Sequence, residues 1–258
     1  MKYEIRAMSF GEILDTGFQL LRNHFGLLVG LSLVIYAPVA VLSIILAAMQ
    51  DQILGPLVAL GALIPLSLAL LLAAPIVSAA ITYAVGQLYL GEEASFEGSL
   101  RAALSITVPL VGTSFLSSIF VGIGLLFFIL PGIYLLISFL LLGQVMVLER
   151  VFGVAAMRRS HALLKGSRMR ALGVLVVGGI IVTVLSTGLQ LVLTFVPLLG
   201  SLSSAVAQAI GSVYTTAISV VLYFDIRCRK EAFDLEHLAR LVQGHRGVSP
   251  SATEPLVR

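Results

Sequence analysis

The chain has 258 residues, of which 59% are hydrophobic and only 11% are charged, and its mean hydropathy is +1.07. A water-soluble domain of this length cannot bury so much apolar surface, so the composition excludes a soluble globular protein and indicates an integral membrane protein. The net charge of +3 comes without an aromatic-interleaved basic motif, which argues against a nucleic-acid partner.

Six apolar runs follow one another along the chain. They cover approximately residues 26–49, 57–90, 106–130, 132–148, 171–195 and 203–224. A hydrocarbon core about 30 Å thick requires roughly 20 apolar residues per helix. In lipid, the backbone N–H and C=O groups must form hydrogen bonds within the protein, and a helix satisfies them within one segment. We therefore predict an all-α, polytopic membrane protein with six transmembrane helices.

The second run is long enough for one long helix or two short ones, and it contains Pro65 and Pro75. If it is one kinked span, all 16 Lys and Arg residues lie on one side of the membrane. Two short spans would place the basic stretch 149–170 opposite the N-terminus, although short cytoplasmic loops tend to collect Lys and Arg. The sequence therefore predicts six spans with both termini in the cytoplasm.

Three short segments, each preceding a pair of runs, have the pattern of amphipathic helices. In the first, Ser9 and Glu12 stand at the spacing of a capping box, and apolar residues from Phe10 onward share one face. Similar offsets recur from Phe96 and from Phe152. We predict cytoplasmic helices that lie in the membrane interface, and a threefold repeat of one interfacial helix and two spans.

We assign residues 1–238 to a single six-helix membrane domain. Residues 239–258 are polar, rich in Ser and Pro, and without apolar periodicity, so we predict a disordered cytoplasmic tail there.

The stretch 149–170 holds six of the 16 basic residues. Topology explains most of this charge, because basic loops usually mark the cytoplasmic side. Exposed basic side chains beside a membrane also attract anionic lipid, and they suit an acidic protein partner. The candidate lipid- or partner-binding residues are Arg150, Arg158, His161, Lys165, Arg168 and Arg170.

Arg159 is different, because in the repeat frame it takes the place of Gly17 and Ala103 on the face that packs against the bundle. A buried guanidinium requires a carboxylate, and we predict a structural ion pair with Asp225 at the end of the sixth run. Two alternatives remain open: another carboxylate on the same side, or a guanidinium that reaches water or lipid headgroups. The other candidate carboxylates are Asp15, Glu92, Glu93 and Glu149.

The sequence contains no evident catalytic or metal-binding constellation. The four His residues are scattered, and the single cysteine, Cys228, has no metal-ligand spacing around it. The interiors of the six runs contain no Asp, Glu, Lys or Arg, which argues against ion-coupled transport. We expect no enzyme activity, no cofactor and no metal.

Three stretches carry a family resemblance: SFGEILDTGFQLLRNHF, PGIYLLISFLLLGQVMVLERVFGVAAMRRSHALLKG and YFDIRCRKEAFDLE. They resemble the membrane domain that precedes the catalytic domain in some bacterial glycerophosphodiester phosphodiesterases and that also occurs alone in other membrane proteins. The resemblance covers roughly residues 8–238 and is strongest over 149–166 and 223–236. It implies a six-helix domain of the bacterial inner membrane, and for the stand-alone members it implies no established activity.

His245, Arg246 and Gly247 stand about where such a catalytic barrel would begin with His-Arg-Gly. The Pro-Glu-Asn pattern that follows in the barrels is missing, and a barrel requires upward of about 200 residues. We expect the triplet to be a chance match.

These observations predict a non-enzymatic integral membrane module, a scaffold or partner subunit that engages anionic lipid or another protein through basic amphipathic helices. One alternative is a lipid or small-amphiphile transporter or flippase that uses the Pro-interrupted second run. Another is a membrane accessory to a separate glycerophosphodiester phosphodiesterase. A polar, lipid-accessible cavity between the helices would favour the transporter.

Overall fold

The computed structural model describes residues 6–50, 56–193 and 200–233, and every regular element in these ranges is an α-helix. The helices are α1 (Phe10–Asn23), α2 (Phe25–Gln50), α3 (Pro56–Leu90), α4 (Phe96–Ser105), α5 (Thr107–Phe127), α6 (Ile129–Ser138), α7 (Leu142–Leu148), α8 (Gly153–Leu164), α9 (Arg168–Leu193) and α10 (Gly200–Glu231). The all-α class predicted from the composition is confirmed. The tail for which we predicted disorder, residues 239–258, lies outside the described residues.

Four described helical stretches are long and apolar enough to cross a bilayer. They are Thr107–Phe127, Ile129–Leu148, Arg168–Gly188 and Val206–Glu231. Two further apolar stretches, Phe25–Val34 and Ala74–Leu90, are shorter within the described residues. Helices of this length and composition are those of a membrane protein with transmembrane helices.

Helix α10 forms the centre of the described bundle. In its most apolar stretch 83% of the residues are buried, and the helix packs against α1, α2, α3 and α9. The side chain of Ile218 lies between Gly17 of α1 and Gly178 of α9, and a β-carbon on either glycine would collide with it. These two glycines therefore let α1 and α9 approach the central helix closely.

The second apolar run forms one continuous helix, α3. It extends over 35 residues and includes Pro65 and Pro75 without a break in the helix assignment. At 1.5 Å per residue this is a length of about 50 Å. Its C-terminal part packs on α10, where Ile81, Ala84 and Val85 are fully buried. The structure thus agrees with the single-helix interpretation of this run.

The fourth apolar run is interrupted, which the sequence analysis did not predict. Helix α6 ends at Ser138, and the N–H of Leu142 at the start of α7 donates to the carbonyl of Phe139 at 3.0 Å. At its other end, α6 forms a tight hairpin with α5. The two helices are so close that a β-carbon on Gly124 would lie 2.9 Å from the α-carbon of Gly132. Only 11% of the residues in the most apolar stretch of α5 are buried within the protein.

Helices α1 and α4 begin at the predicted residues, whereas α8 begins one residue later. Ser9 caps α1 and completes the predicted capping box, and Ser95 caps α4. The N-cap of α8 is Phe152, whose side chain makes no capping bond. Instead, the N–H of Gly153 donates to Oγ1 of Thr113 in α5 at 2.8 Å. A contact with another helix thus replaces the missing local cap.

This one-residue shift changes which residue of α8 corresponds to the small buried residues of α1 and α4. Counted from the first helical residue, the eighth is Gly17 in α1, Ala103 in α4 and Ser160 in α8, and all three are buried. The hydroxyl of Ser160 donates to the carbonyl of Ser138 at 2.9 Å. Arg159, which we predicted at this position, is rotated about 100° from it and is only partly buried.

Candidate functional site

Basic side chains of α8, α9 and α10 gather where α8 meets the first turn of α9 and the last turn of α10. They form two groups, which differ in whether a carboxylate neutralises them. The neutralised group consists of Arg159, Arg170, Arg227 and Arg229. The open group, which has no ion pair with a carboxylate among the described residues, consists of Arg158, Lys165, Arg168 and Lys230.

Asp225, near the end of α10, is fully buried and binds two arginines. Its Oδ2 lies 3.1 Å from Nε of Arg170, and its Oδ1 lies 3.0 Å from Nε of Arg229. The N–H of Met8 donates to Oδ1 at 2.7 Å, and both guanidinium groups also donate to the carbonyl of Met8. This Asp225 cluster therefore holds the segment before α1 against α9 and α10 through both backbone polar groups of one residue.

Glu149, between α7 and α8, belongs to a second cluster of ion pairs. Nε of Arg159 donates to Oε2 of Glu149 at 2.7 Å, and the terminal nitrogens of Arg159 donate to both oxygens of Glu231. The hydroxyl of Tyr223 donates to Glu149 at 2.7 Å, and Arg227 donates to Glu231 at 2.9 Å. Glu231 and, next, Glu149 raise the pKa of Arg159, so its charge is permanent.

The predicted Arg159–Asp225 pair is therefore corrected. Arg159 binds Glu149, one of the alternatives, and Glu231, which the sequence analysis did not consider. Asp225 is neutralised by two other arginines. The physical reason is the later start of α8, which turns Arg159 away from the position assumed in the repeat frame and toward the end of α10.

The sequence contained a signal for two of the missed contacts. Arg227 and Glu231 stand four residues apart on α10, and so do Asp225 and Arg229, which is the spacing of ion pairs on one helix face. The contact of Asp225 with the backbone of Met8 spans 217 residues of sequence and has no local signal.

Three members of the open group, Lys165, Arg168 and Lys230, lie close to one another. Nζ of Lys230 donates to the carbonyl of Ala162 at 3.0 Å and to that of Lys165. Arg168 and Lys165 also lie near enough for their positive charges to repel the Lys230 ammonium group. The guanidinium carbon of Arg168 lies 4.4 Å from the ring centre of Tyr134. An aromatic ring therefore holds the Arg168 guanidinium where a carboxylate holds the neutralised ones.

A groove of about 300 Å³ between α5, α6 and α8 adjoins the open group. Its apolar lining is Phe120, Leu135, Phe139, Val154 and Met157. Arg158 and His161 complete the lining. Nε2 of His161 lies 3.3 Å from a terminal nitrogen of Arg168, so His161 joins the groove to the open group.

The structure brings together four of the six predicted lipid- or partner-binding residues: Arg158, His161, Lys165 and Arg168. Arg170 binds Asp225, so a carboxylate already neutralises it, and its role in binding lipid or a partner stays a prediction. Arg150 lies before α8, exposed and with a left-handed backbone (φ 57°), and its guanidinium is 3.5 Å from Oγ of Ser105.

A larger cavity of about 540 Å³ lies between α1, α9 and α10. None of its described lining residues is charged. Its main apolar lining residues are Phe18, Leu21, Val182, Leu185 and Ile210. This cavity can accept a hydrocarbon group, but its lining supplies no charged partner for a headgroup or an ion.

Within the described ranges, no group of three or more His, Cys, Asp or Glu side chains is placed to hold a metal ion. The absence of a cofactor stays a prediction.

No family model, curated protein or solved structure matches this chain.

Proposed function

We propose that the protein is a non-enzymatic transmembrane module, a scaffold or partner subunit, that binds anionic lipid through the open group. The observation that carries the proposal is the contrast within one small region. Four arginines there are neutralised by carboxylates, while Arg158, Lys165, Arg168 and Lys230 have no ion pair with a described carboxylate. Basic side chains near a bilayer gain about 1 kcal/mol each from anionic lipid.

The position of the open group supports lipid as the partner. Arg168 is the first residue of one candidate span, and Lys230 belongs to the last turn of another. The ends of apolar helices lie near the level of the lipid headgroups. An acidic protein could bind the same charges, but their position at the ends of two apolar helices favours a lipid headgroup.

Lipid selectivity tests this function directly. We expect the purified protein, equilibrated with equal amounts of phosphatidylglycerol and phosphatidylcholine in detergent, to retain the anionic lipid at least about threefold in excess, because only the former carries net charge. Native mass spectrometry counts the bound lipids. Equal retention of the two lipids would contradict the proposal.

The proposed topology has six spans in a bacterial inner membrane and both termini in the cytoplasm. Its support is the distribution of the basic residues. The chain with Cys228→Ser, carrying single introduced cysteines, tests it by labelling of intact cells. We expect labelling from outside at 51, 131 and 200, and from inside at 98, 165 and 244.

Position 131 is the most informative of these. Helix α8 packs along α5, with one contact at Thr113 and the groove at Phe120, seven residues further. Pro131 lies just beyond the tip of the α5–α6 hairpin, so its side of the membrane shows whether α5 crosses while α8 stays in the interface. Labelling from inside at this position would mean that the hairpin does not cross, and would reduce the number of spans.

We also propose that the interfacial helices α1, α4 and α8 begin three related units. Each is followed by two long helices, the second of which is interrupted in the middle unit. The eighth residue of each short helix is small and buried. We expect Ala103→Leu to destabilise the protein in a thermal-unfolding assay far more than the change Leu104→Ala at its exposed neighbour. Equal effects would contradict the common packing position.

A lipid transporter or flippase is the second candidate, and the 540 Å³ cavity is the observation that favours it. Proteoliposomes with a fluorescent lipid test this activity, because dithionite destroys the fluorescence of the outer leaflet alone. Because the described lining of the cavity is uncharged, we expect no loss of fluorescence beyond that of protein-free vesicles. A loss well above half of the signal would support transport instead. A role as accessory to a separate glycerophosphodiester phosphodiesterase rests on the sequence resemblance alone.

A further inference from the structure

We infer that the open group and the groove beside it form a site for a single anionic phospholipid, with the phosphate at Arg158, His161 and Arg168 and one acyl chain between α5, α6 and α8. This inference rests on the proposed binding of anionic lipid and specifies where and how it occurs.

The headgroup end of this lipid site has donors that the protein does not use. Arg168 is held by the ring of Tyr134 and has no ion pair with a described carboxylate. A phosphate oxygen is a strong acceptor for a guanidinium. The neutralised arginines have no comparable capacity, because carboxylates already bind them.

His161 has the hydrogen-bonding pattern required next to an arginine. A guanidinium can only donate, so in the 3.3 Å contact Arg168 is the donor and Nε2 of His161 the acceptor. The ring also makes an edge contact with Tyr134, at 5.8 Å between the centroids. Arg168, His161 and Tyr134 thus form a packed unit, and Arg158, one turn earlier on α8, adds an exposed charge.

The groove distinguishes a lipid from a soluble anion. Its five apolar lining residues come from three helices and meet Arg158 and His161 on α8. An apolar groove lined in part by basic side chains matches a molecule with a hydrocarbon chain and a phosphate. A free phosphate or a soluble phosphate ester would use only the basic end, and a neutral lipid would use only the apolar part.

Two substitutions test the two ends of the site separately, with the full chain purified in detergent. Arg158→Gln changes an exposed side chain that has no ion pair with a described carboxylate, so folding is preserved. Val154→Phe adds volume at the wall of the groove, where Val154 is about half exposed. Arg150→Gln is the matched control. Arg150 lies shortly before α8 and, like Arg158, is exposed and has no ion pair with a described carboxylate, but it does not line the groove. Arg168→Gln is the fourth variant.

Binding of dioleoyl phosphatidylglycerol is measured by native mass spectrometry for each variant. We expect Arg158→Gln and Arg168→Gln each to weaken binding roughly fivefold to tenfold through loss of a charge-assisted hydrogen bond. Val154→Phe should weaken the long-chain lipid by a similar factor and leave the dihexanoyl lipid unchanged. Arg150→Gln should have no effect. Millimolar glycerol phosphate should not displace the long-chain lipid.

The outcomes separate the site from the broader function. If the wild-type protein does not prefer the anionic lipid, the proposed function fails. If it does, but the Arg158 and Arg150 variants bind alike, anionic lipid binds and this site is wrong. If Arg158→Gln weakens binding but Val154→Phe does not, or if glycerol phosphate displaces the lipid, the site is one for a soluble phosphate group. If an added acidic protein abolishes lipid binding by the wild type, the surface is assigned to a protein partner.

Discussion

The Asp225 cluster and the open group take basic side chains from neighbouring positions, Arg170 beside Arg168 and Arg229 beside Lys230, yet their surroundings are opposite. In the Asp225 cluster a fully buried carboxylate, two guanidinium groups and the backbone of Met8 satisfy one another. In the open group an aromatic ring and backbone carbonyls hold the cations. The comparison teaches that charge density alone does not identify a binding surface, because only charge without a carboxylate partner is available to a ligand.

The largest effect is expected from Asp225→Asn. Removing one partner of a buried ion pair costs about 3–5 kcal/mol, and here the loss should lie near the lower value because Arg170 and Arg229 can reach water. Thermal unfolding in detergent, followed by size-exclusion chromatography, measures it. The control is Glu97→Gln, whose pair with Arg101 is about 80% exposed on both sides and should contribute at most about 0.5 kcal/mol. Similar losses in both variants would remove the distinction between the clusters.

The neighbours Arg159 and Arg158 give the next largest contrast. Arg159→Gln leaves Glu149 and Glu231 without their shared guanidinium and should destabilise the protein by about 1–3 kcal/mol. Arg158→Gln should change stability by less than about 0.5 kcal/mol, since no described carboxylate pairs with it. The same unfolding assay compares them. If Arg158→Gln were the more destabilising change, the assignment of the two residues to different groups would be wrong.

Salt should act on the open group more than on the Asp225 cluster. The Debye length is about 10 Å at 0.1 M and about 3 Å at 1 M ionic strength, and exposed charges are screened far more than buried ones. We expect the preference for phosphatidylglycerol to fall severalfold between these two concentrations. The difference in unfolding temperature between wild type and Asp225→Asn should change little. A lipid preference that persists at 1 M salt would indicate contacts other than charge.

The smallest effect is expected at the exposed capping box of α1. A hydrogen bond from Arg6 and those from Ser9 lower the pKa of Glu12 to about 2. Because this pKa lies below the ordinary value of 4.5, the carboxylate stabilises the folded state above pH 4.5, and the contribution is lost as the pH falls toward 2. Glu12→Gln should therefore slightly flatten the decline of stability in this range. An unaltered decline would show that the exposed carboxylate contributes nothing measurable.

Much of the fold follows from local patterns. Apolar runs gave the all-α class, charge distribution favoured the single helix α3, and the Ser9 capping box marked the start of α1. The break between α6 and α7 could not be predicted, because the residues from Phe139 to Leu141 are as apolar as their neighbours and no Gly or Pro marks the turn. The start of α8 was missed because its cap is Thr113, a residue of another helix.

The candidate site was predicted only in part, because local patterns identify its residues but not the contacts between distant segments. Basic charge beside the apolar runs marked Arg158, His161, Lys165 and Arg168 as candidates, and the structure places Arg168 against His161. Which arginines are neutralised depends on contacts between distant segments, such as that of Arg170 with Asp225. Sequence periodicity carries no information on these contacts.

The central position of α10 has a consequence for how the protein is made. Of the described helices, α10 is the last to be synthesised, yet it supplies the buried partner of α1, α2, α3 and α9. Until it is synthesised, Gly17 of α1 and Gly178 of α9 lack Ile218, on which they pack, and Met8 lacks the carboxylate that anchors it. The packing of α1, α2, α3 and α9 against one another through α10 can therefore form only after α10 is synthesised, and a chain interrupted before residue 200 would present quality-control proteases with helices that lack this common partner.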